Sequence, residues 1–265
     1  MTGSAQAGLT LAGKVILITG ATQGLGAEIA REAARRGAQA IAIAGRSVDD
    51  GAAVVADVQT LGTEARHFPT DLALPDAPRA LFTAVMGWQG QVDGLVNSAG
   101  LTDRASVVDA GLDDWDRLFT INTRAPFFLM QEAIRAAQAQ GHPASIVNIL
   151  SMNAHCGAPD LAVYAASKGA LATLTRNAAN AHMADRIRVN GINMGWAATD
   201  AEQVMQARTL GKGADWAAAA ARNAPLGRLL QPAEVARLAV YLLSDYAGLQ
   251  TGTLIDLEQR VLGAP

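Results

Sequence analysis

Three residues near the middle of the chain have side chains able to exchange a proton with a substrate oxygen: Ser151, Tyr164 and Lys168. Tyr164 and Lys168 stand four positions apart in an Ala-rich stretch of helical character, so they share one face of a helix. A phenol has a reference pKa of ~10, too high for a free base near neutrality. An ammonium beside it favours the phenolate, and a shift of ~3 units would ask roughly 4 kcal/mol of the site. Ser151 closes an apolar run and can hold a carbonyl or alcohol oxygen by hydrogen bonding. This set suits hydride exchange between a nicotinamide cofactor and an alcohol/carbonyl pair, with Tyr164 as the proton donor or acceptor. A Y-x-x-x-K spacing alone is common in helices; its position after a strand-terminal serine gives it weight. Lysine is also scarce, only Lys14, Lys168 and Lys212, while arginine is plentiful. A compact ammonium that reaches ribose hydroxyls and the phenol is a chemical reason for lysine at 168.

A cofactor site is written near the start. Thr19-Gly20-Ala21-Thr22-Gln23-Gly24-Leu25-Gly26 follows the apolar run Lys14–Thr19. Glycines there permit a tight strand-to-helix turn and close approach of a ligand. The helix that follows offers free N–H groups and a positive dipole end to a pyrophosphate. Gly26 would let that helix pack closely on the sheet. The spacing is G-x-x-x-G-x-G, and no Gly-Lys-Ser/Thr follows to make an ATPase-type loop. About 20 residues further on, the second strand candidate ends Ala44-Gly45-Arg46-Ser47, with no acid to read a ribose 2′-hydroxyl. Arg46 and the Ser47 hydroxyl suit a 2′-phosphate, which favours NADP(H) over NAD(H). Asp71 and Leu72, just past the third strand candidate, fall where the adenine edge is expected.

The elements that must position these groups alternate. Strand candidates are 14–19, 39–44, 66–68, 92–97, 144–150, 187–193 and 253–256. Helical patterns span 25–36 and 48–61, and long ones 115–140 and 161–185. Strand and helix taking turns, with strands apolar on both faces, predicts an α/β fold: one doubly wound parallel sheet of about seven strands, Rossmann-type, with helices on both faces. Ser151 then ends a strand at the edge where such sheets open their ligand crevice. The reading is a flexible tail over 1–11 and a single cofactor-binding and catalytic domain over 12–265. Residues 196–230 form the least regular stretch, expected to cover the substrate.

Composition narrows the classes. Half of the 265 residues are hydrophobic but only 5% aromatic, so a large core must rest on aliphatic side chains. A net charge of −3 offers no attraction to nucleic acid or an anionic membrane. The single cysteine, Cys156, cannot form an internal disulfide, and no Cys/His spacing suggests a metal site. No apolar run reaches membrane-span length and the start lacks signal-peptide character, so a cytoplasmic location is the default expectation.

Together these residues resemble the short-chain dehydrogenase/reductase family over about residues 12–256. Thr19-Gly20-x-x-x-Gly24-x-Gly26 resembles its cofactor turn, and Asn97-Ser98-Ala99-Gly100 its N-x-A-G segment. Ser151, Tyr164 and Lys168 fall on its catalytic positions with the usual thirteen residues from serine to tyrosine. The resemblance implies that Asn122 completes the catalytic set, its helix carbonyl holding a water that relays protons. Pro126 fits this, since it has no N–H for the Asn122 carbonyl four residues earlier. It implies further that Asn97, Ala99 and Gly100 lie beside the cofactor, that Gly195 meets the nicotinamide amide, and that Thr199 lies near the phosphates. It also implies a homotetramer or dimer joined through the two long helices.

Two departures stand out. The family's Pro-Gly after strand six is Met194-Gly195 here, followed by Trp196, and its terminal Asp-Gly-Gly is Asp256-Leu257-Glu258. Adjacency to the motifs makes Leu101, Asn153, His155, Met194 and Trp196 the expected pocket walls. Asn153 and His155 can bond hydroxyls and Trp196 can stack on a ring, which favours a polyol, sugar or small hydroxy-ketone. The competing readings are a catalytically silent nucleotide-binding regulator, a 3-oxoacyl reductase, and a hydrolase built on Ser151 and His155. The last lacks a G-x-S-x-G elbow.

Overall fold

A computed structural model describes residues 9–262. Seven parallel strands form one sheet in the order β3-β2-β1-β4-β5-β6-β7. They are β1 (Val15–Thr19), β2 (Ala40–Gly45), β3 (Glu64–Pro69), β4 (Gly94–Asn97), β5 (Ala144–Ile149), β6 (Ile187–Met194) and β7 (Leu254–Leu257). Between them run α1 (Gly24–Arg35), α2 (Val48–Thr60), α3 (Ala77–Gln89), α4 (Leu112–Phe119), α5 (Ala125–Gln140), α6 (Ala162–His182), α7 (Asp200–Gln203), α8 (Trp216–Arg222) and α9 (Pro232–Leu243). The doubly wound sheet expected from the sequence is present, each strand candidate lying within about two residues of an observed strand.

Alternation along each strand decides which layer its side chains join. Ile16 and Ile18 of β1 pack with Ile29, Val54, Val235 and Val240 under α1, α2 and α9. Leu17, between them, points the other way, to Phe82, Leu129 and Leu171 under α3, α5 and α6. Both faces are therefore dry, and each buried aliphatic side chain is worth about 1.5–3 kcal/mol. The chain winds to β3 on one side of β1 and from β4 to β7 on the other. The switch between β1 and β4 opens a crevice at their carboxyl ends.

A buried polar ladder fixes the middle of the sheet against α6. Asn97 Nδ2 donates to Asn148 Oδ1 at 2.8 Å, and Asn148 Nδ2 donates to Thr175 Oγ1 at 2.8 Å. One-sided loss of such a buried pair leaves an unsatisfied group, at about 1–3 kcal/mol.

Three findings refine the expectations. Of the stretch expected as a tail, residues 1–8 lie outside the described residues, but Leu11 is fully buried and donates its N–H to the Arg36 carbonyl. The packed domain thus begins inside 1–11. The helix expected over 115–140 is interrupted: Thr120–Arg124 is a π-helical turn between α4 and α5. Pro126, lacking an N–H, is the local reason that the regular ladder cannot run through. Finally, 196–230 is a closed excursion, because Ala198 N–H donates to the Leu230 carbonyl and Leu230 N–H to the Trp196 carbonyl.

Candidate active site

The glycine turn docks on the segment after β4. Thr19 Oγ1 accepts from the backbone N–H groups of Ser98 and Ala99, at 3.1 and 3.2 Å. Gly20 has φ +63°, and a Cβ there would stand 2.7 Å from the Ala99 Cα. At Gly26 a Cβ would collide with the Gly20 carbonyl oxygen. Neither position can carry a side chain without moving backbone. Gln23 caps α1 with no side-chain bond, and the first turn holds no acid, so the helix start is open to an anion. A cleft of about 440 Å³ lies there, walled by Thr22, Gln23 and Gly24 and, opposite, by Ala198 and Thr199. A dinucleotide's phosphates fit this donor set, and Gly100 keeps the next stretch of the crevice clear of Asn122 and Lys168.

At the tip of β2, Arg46 is exposed and has no hydrogen-bond or ion-pair partner among the described residues. Ser47 Oγ accepts from Asp50 N–H at 3.3 Å as the cap of α2, so its own proton stays available. Asp71 Oδ1 accepts from Ala73 N–H in a local turn, and Leu72 beside it is buried.

The catalytic candidates converge from three elements. Ser151 follows β5, where Ile149 is paired with Ile192 of β6. The Ser151 hydroxyl accepts from Asn153 N–H at 3.1 Å and Nδ2 at 3.3 Å. Tyr164 and Lys168 lie on α6, both buried. Lys168 Nζ donates to the Ile149 carbonyl at 2.8 Å, which leaves two ammonium protons for other partners. Asn122, fully buried in the π turn, is bonded on every side. Its Oδ1 accepts from Leu101 N–H at 2.9 Å, and its Nδ2 donates to the Leu101 carbonyl at 2.9 Å and to Ser167 Oγ at 3.0 Å. Ser167 in turn donates to the Tyr164 carbonyl at 2.7 Å. Asn122 thereby joins the post-β4 loop to α6.

The electrostatics differ from the expectation of an acidified phenol. Burial pushes the Tyr164 phenol above its ordinary value; a hydrogen bond with Ser151 pulls it back, the Glu202 carboxylate adds to the rise, and Arg104 opposes it. Burial also lowers the Lys168 ammonium from 10.5 to about 8. In the polypeptide alone, desolvation governs both groups. Phenolate character must therefore come with further positive charge in the closed site.

The remaining candidates divide. Asn153 reaches Ser151, and Leu101 packs in the cluster around Tyr164. His155 turns instead to the sheet edge, where Asp256 Oδ1 lies 2.9 Å from its Nε2 and also accepts from Asn193 Nδ2 at 2.7 Å. Met194 packs on the core, and Trp196 donates its indole N–H to Glu202 Oε1 at 2.7 Å. Thr199 Oγ1 caps the turn into α7 by accepting from Glu202 N–H. Gly195 backs onto the Glu258 carboxylate, which would have to move to admit a Cβ.

Sequence reasoning named Thr19 only as the opening of the cofactor turn and gave no role to Ser167, Arg104, Glu202 or Gln206. Ser167 was readable as the residue that precedes Lys168 on the helix and lies one turn from Tyr164. Arg104, Glu202 and Gln206 belong to no motif in the sequence. Among the described residues no group of His, Cys, Asp or Glu could hold a metal ion, and no helix is long and apolar enough to cross a membrane.

The profile of a family described as Enoyl-(Acyl carrier protein) reductase matches residues 20–258. The chain is 34% identical over 252 residues to 2-(S)-hydroxypropyl-CoM dehydrogenase 3 of Xanthobacter autotrophicus, covering 94% of this chain and 96% of that protein. It superposes on L-sorbose reductase of Gluconobacter frateurii, complexed with NADPH and L-sorbose, with a TM-score of 0.90 and 27% identity, over 97% of this chain and 99% of that one. NAD+-bound xylitol dehydrogenase gives a TM-score of 0.86 and 28% identity, over 94% and 99%.

Proposed function

The chain belongs to the short-chain dehydrogenase/reductase family, and on that premise we propose that Ser151, Tyr164, Lys168 and Asn122 are its catalytic set. It is a nicotinamide-dependent oxidoreductase that interconverts an alcohol and a carbonyl. The observation that carries the assignment of roles is that Lys168, one helical turn from Tyr164, donates at 2.8 Å to the carbonyl of Ile149, two residues before Ser151. The cofactor, when bound, supplies or accepts the hydride.

Tyr164 gives its phenolic proton to the substrate oxygen in reduction and takes it back in oxidation. Ser151, held by Asn153, donates to the same oxygen and fixes the reacting carbon. Lys168 lends positive charge to the phenol and holds the cofactor's ribose. Asn122 keeps the post-β4 loop and α6 in register, and its main-chain carbonyl holds the water that passes protons outward. Gly20, Thr22, Gln23, Gly24, Leu25 and Gly26 receive the pyrophosphate, with Thr199 opposite. Asp71 and Leu72 flank the adenine. Asn97, Ala99, Gly100 and Gly195 line the nicotinamide side.

NADP(H) is the favoured cofactor. What supports it is an exposed, unpaired Arg46 with a free Ser47 proton at the tip of β2, and no acid at the strand end itself. The favoured substrates are polyols, sugars and small hydroxy-ketones. Their support is the polar rim of Asn153 and Trp196 and the sugar and polyol enzymes among the structural relatives. A 3-oxoacyl substrate is the second reading, favoured by a related 3-oxoacyl reductase structure with NADP bound. Assembly as a dimer or tetramer is supported by an apolar groove between α5 and α6, lined by Phe127, Met130, Ile134 and Leu174.

The test is a spectrophotometric screen at the nicotinamide band, with both cofactors and with polyols, ketoses, plain secondary alcohols and a 3-oxoacyl thioester. Turnover of at least one alcohol or carbonyl is expected; binding of cofactor without any turnover would establish the silent-regulator reading instead.

A further inference from the structure

The covering segment places two unfilled acceptors beside the catalytic crevice. Trp196 lies two residues past the end of β6, the strand that neighbours β5 and Ser151. Its indole N–H donates to Glu202 Oε1 at 2.7 Å, and Gln206 Nε2 donates to that same oxygen at 2.6 Å. Both donors thus fall on one carboxylate oxygen. Leaving aside residues 200, 201 and 208, whose side chains are not described, Glu202 Oε2 has no hydrogen-bond partner among the described residues and the carboxylate is in no ion pair among them. Gln206 is 2% exposed, yet its Oε1 is buried with nothing donating to it. A buried amide oxygen without a donor is costly, about 1–3 kcal/mol, and its presence in a covering segment points to a donor that arrives with a ligand. The indole that fixes Glu202 keeps 42% of its surface exposed and leans on Trp216 at 5.6 Å between ring centres. The exposed indole, with the Lys212 ammonium 5.9 Å from its ring centre, lies beside two hydrogen-bond acceptors and matches a molecule whose carbon skeleton carries hydroxyl groups.

We propose that Glu202, supported by Gln206, determines substrate specificity by accepting hydrogen bonds from a hydroxyl adjacent to the reacting carbon of a neutral polyol or ketose. The proposal rests on the alcohol/carbonyl reading above and deepens it. A carboxylate oxygen at this place rewards substrate O–H groups. A plain hydrocarbon alcohol would leave both acceptors dry and unpaired, and is disfavoured for that reason. The influence of Glu202 on the Tyr164 phenol is consistent with its lying near the reacting oxygen.

Glu202→Gln tests this cleanly. One amide oxygen can still accept from Trp196 and Gln206, while the atom facing the substrate changes from acceptor to donor. With the holoenzyme, wild-type kcat/KM for xylitol or L-sorbose is expected to exceed that for cyclopentanol. In the variant the polyol and ketose values should fall about 10–100-fold, at least tenfold further than the value for cyclopentanol. Gln206→Met should reproduce part of that selective loss. Binding is read independently from tryptophan fluorescence in a Trp88→Phe/Trp115→Phe background, which leaves Trp196 and Trp216: xylitol and L-sorbose should change it saturably with Glu202 present and not with Glu202→Gln. If no compound is turned over at all, the activity reading fails, and the fluorescence titration still decides this one. A wild type that prefers cyclopentanol, a variant that loses all substrates equally, or no saturable fluorescence change with Glu202 present would each overturn it.

Discussion

The Lys168 ammonium donates to the Ile149 carbonyl at 2.8 Å, so the helix that carries Tyr164 is pinned to the strand that ends at Ser151. This one bond helps fix the relative position of the three groups proposed to meet at the substrate oxygen. It also holds a cation where water cannot reach it, and that has a thermodynamic signature.

Lys168 in the folded protein titrates near 8 instead of 10.5. The unfolded chain therefore binds more protons between those values, and the folded state gains stability as pH rises through that window. Below pH 8 the penalty is fully present, on the order of 3 kcal/mol by the lowered value. Lys168→Met should raise the Tm of the cofactor-free protein by several degrees at pH 7, with the gain shrinking toward pH 10.5. Paired thermal melts at the two pH values check this; an equal gain at both would mean that the lysine is not desolvated.

Tyr164→Phe should abolish turnover while cofactor affinity stays within about threefold, because the phenol is the group proposed to transfer its proton to the substrate oxygen, whereas Ser151 only hydrogen-bonds to it. Loss of general acid/base catalysis typically costs 10²–10⁴-fold or more. Activity assays beside cofactor titration separate the two effects, and retained turnover would remove Tyr164 from the mechanism.

Arg46→Ala should weaken NADPH about 10–100-fold and NADH by less than threefold, since a charge-assisted bond to a 2′-phosphate is lost only with the former. Isothermal titration with both cofactors reads the difference. Equal losses would reverse the cofactor preference.

Gly20→Ala should cost several kcal/mol of stability or prevent folding, because φ +63° and the Ala99 backbone 2.7 Å away leave no room for a methyl group. Denaturant unfolding measures it. A variant as stable as wild type would show that the turn docks elsewhere.

For Asp256, burial pushes the carboxyl up, but hydrogen bonds from Asn193 and His155 outweigh it and hold its pKa below the ordinary value. A lowered carboxylate adds stability above its unfolded pKa and loses it as pH falls through the folded one. Asp256→Asn should therefore destabilise the protein at pH 7 and cost less near pH 3. A penalty that does not change with pH would mean that packing, not charge, holds the β6–β7 edge.

Much of this was legible in the chain. Lys14–Thr19 reads as a doubly buried strand because its apolar residues run without a break, and Gly20 to Gly26 reads as a phosphate turn because φ > 0 and missing Cβ atoms have few other uses. Tyr164 and Lys168 share a helix face by periodicity alone. These are local properties, and local spacing determines them. The Arg104, Glu202 and Gln206 placements are different. Glu202 and Gln206 look like ordinary residues of a polar helix, and Trp196 like a stacking platform with a free N–H. Only when the 196–230 excursion closes between Ala198 and Leu230 does the indole meet the carboxylate and leave one oxygen of each side chain without a donor. His155, expected at the substrate, was claimed by Asp256 from a strand a hundred residues away. Sequence thus determined the fold and singled out the proposed cofactor turn and reacting groups, while tertiary packing decided which polar side chains remain unsatisfied. Desolvation and hydrogen-bond partnership depend on every neighbour in space, and neighbours from remote segments are not encoded in any local spacing.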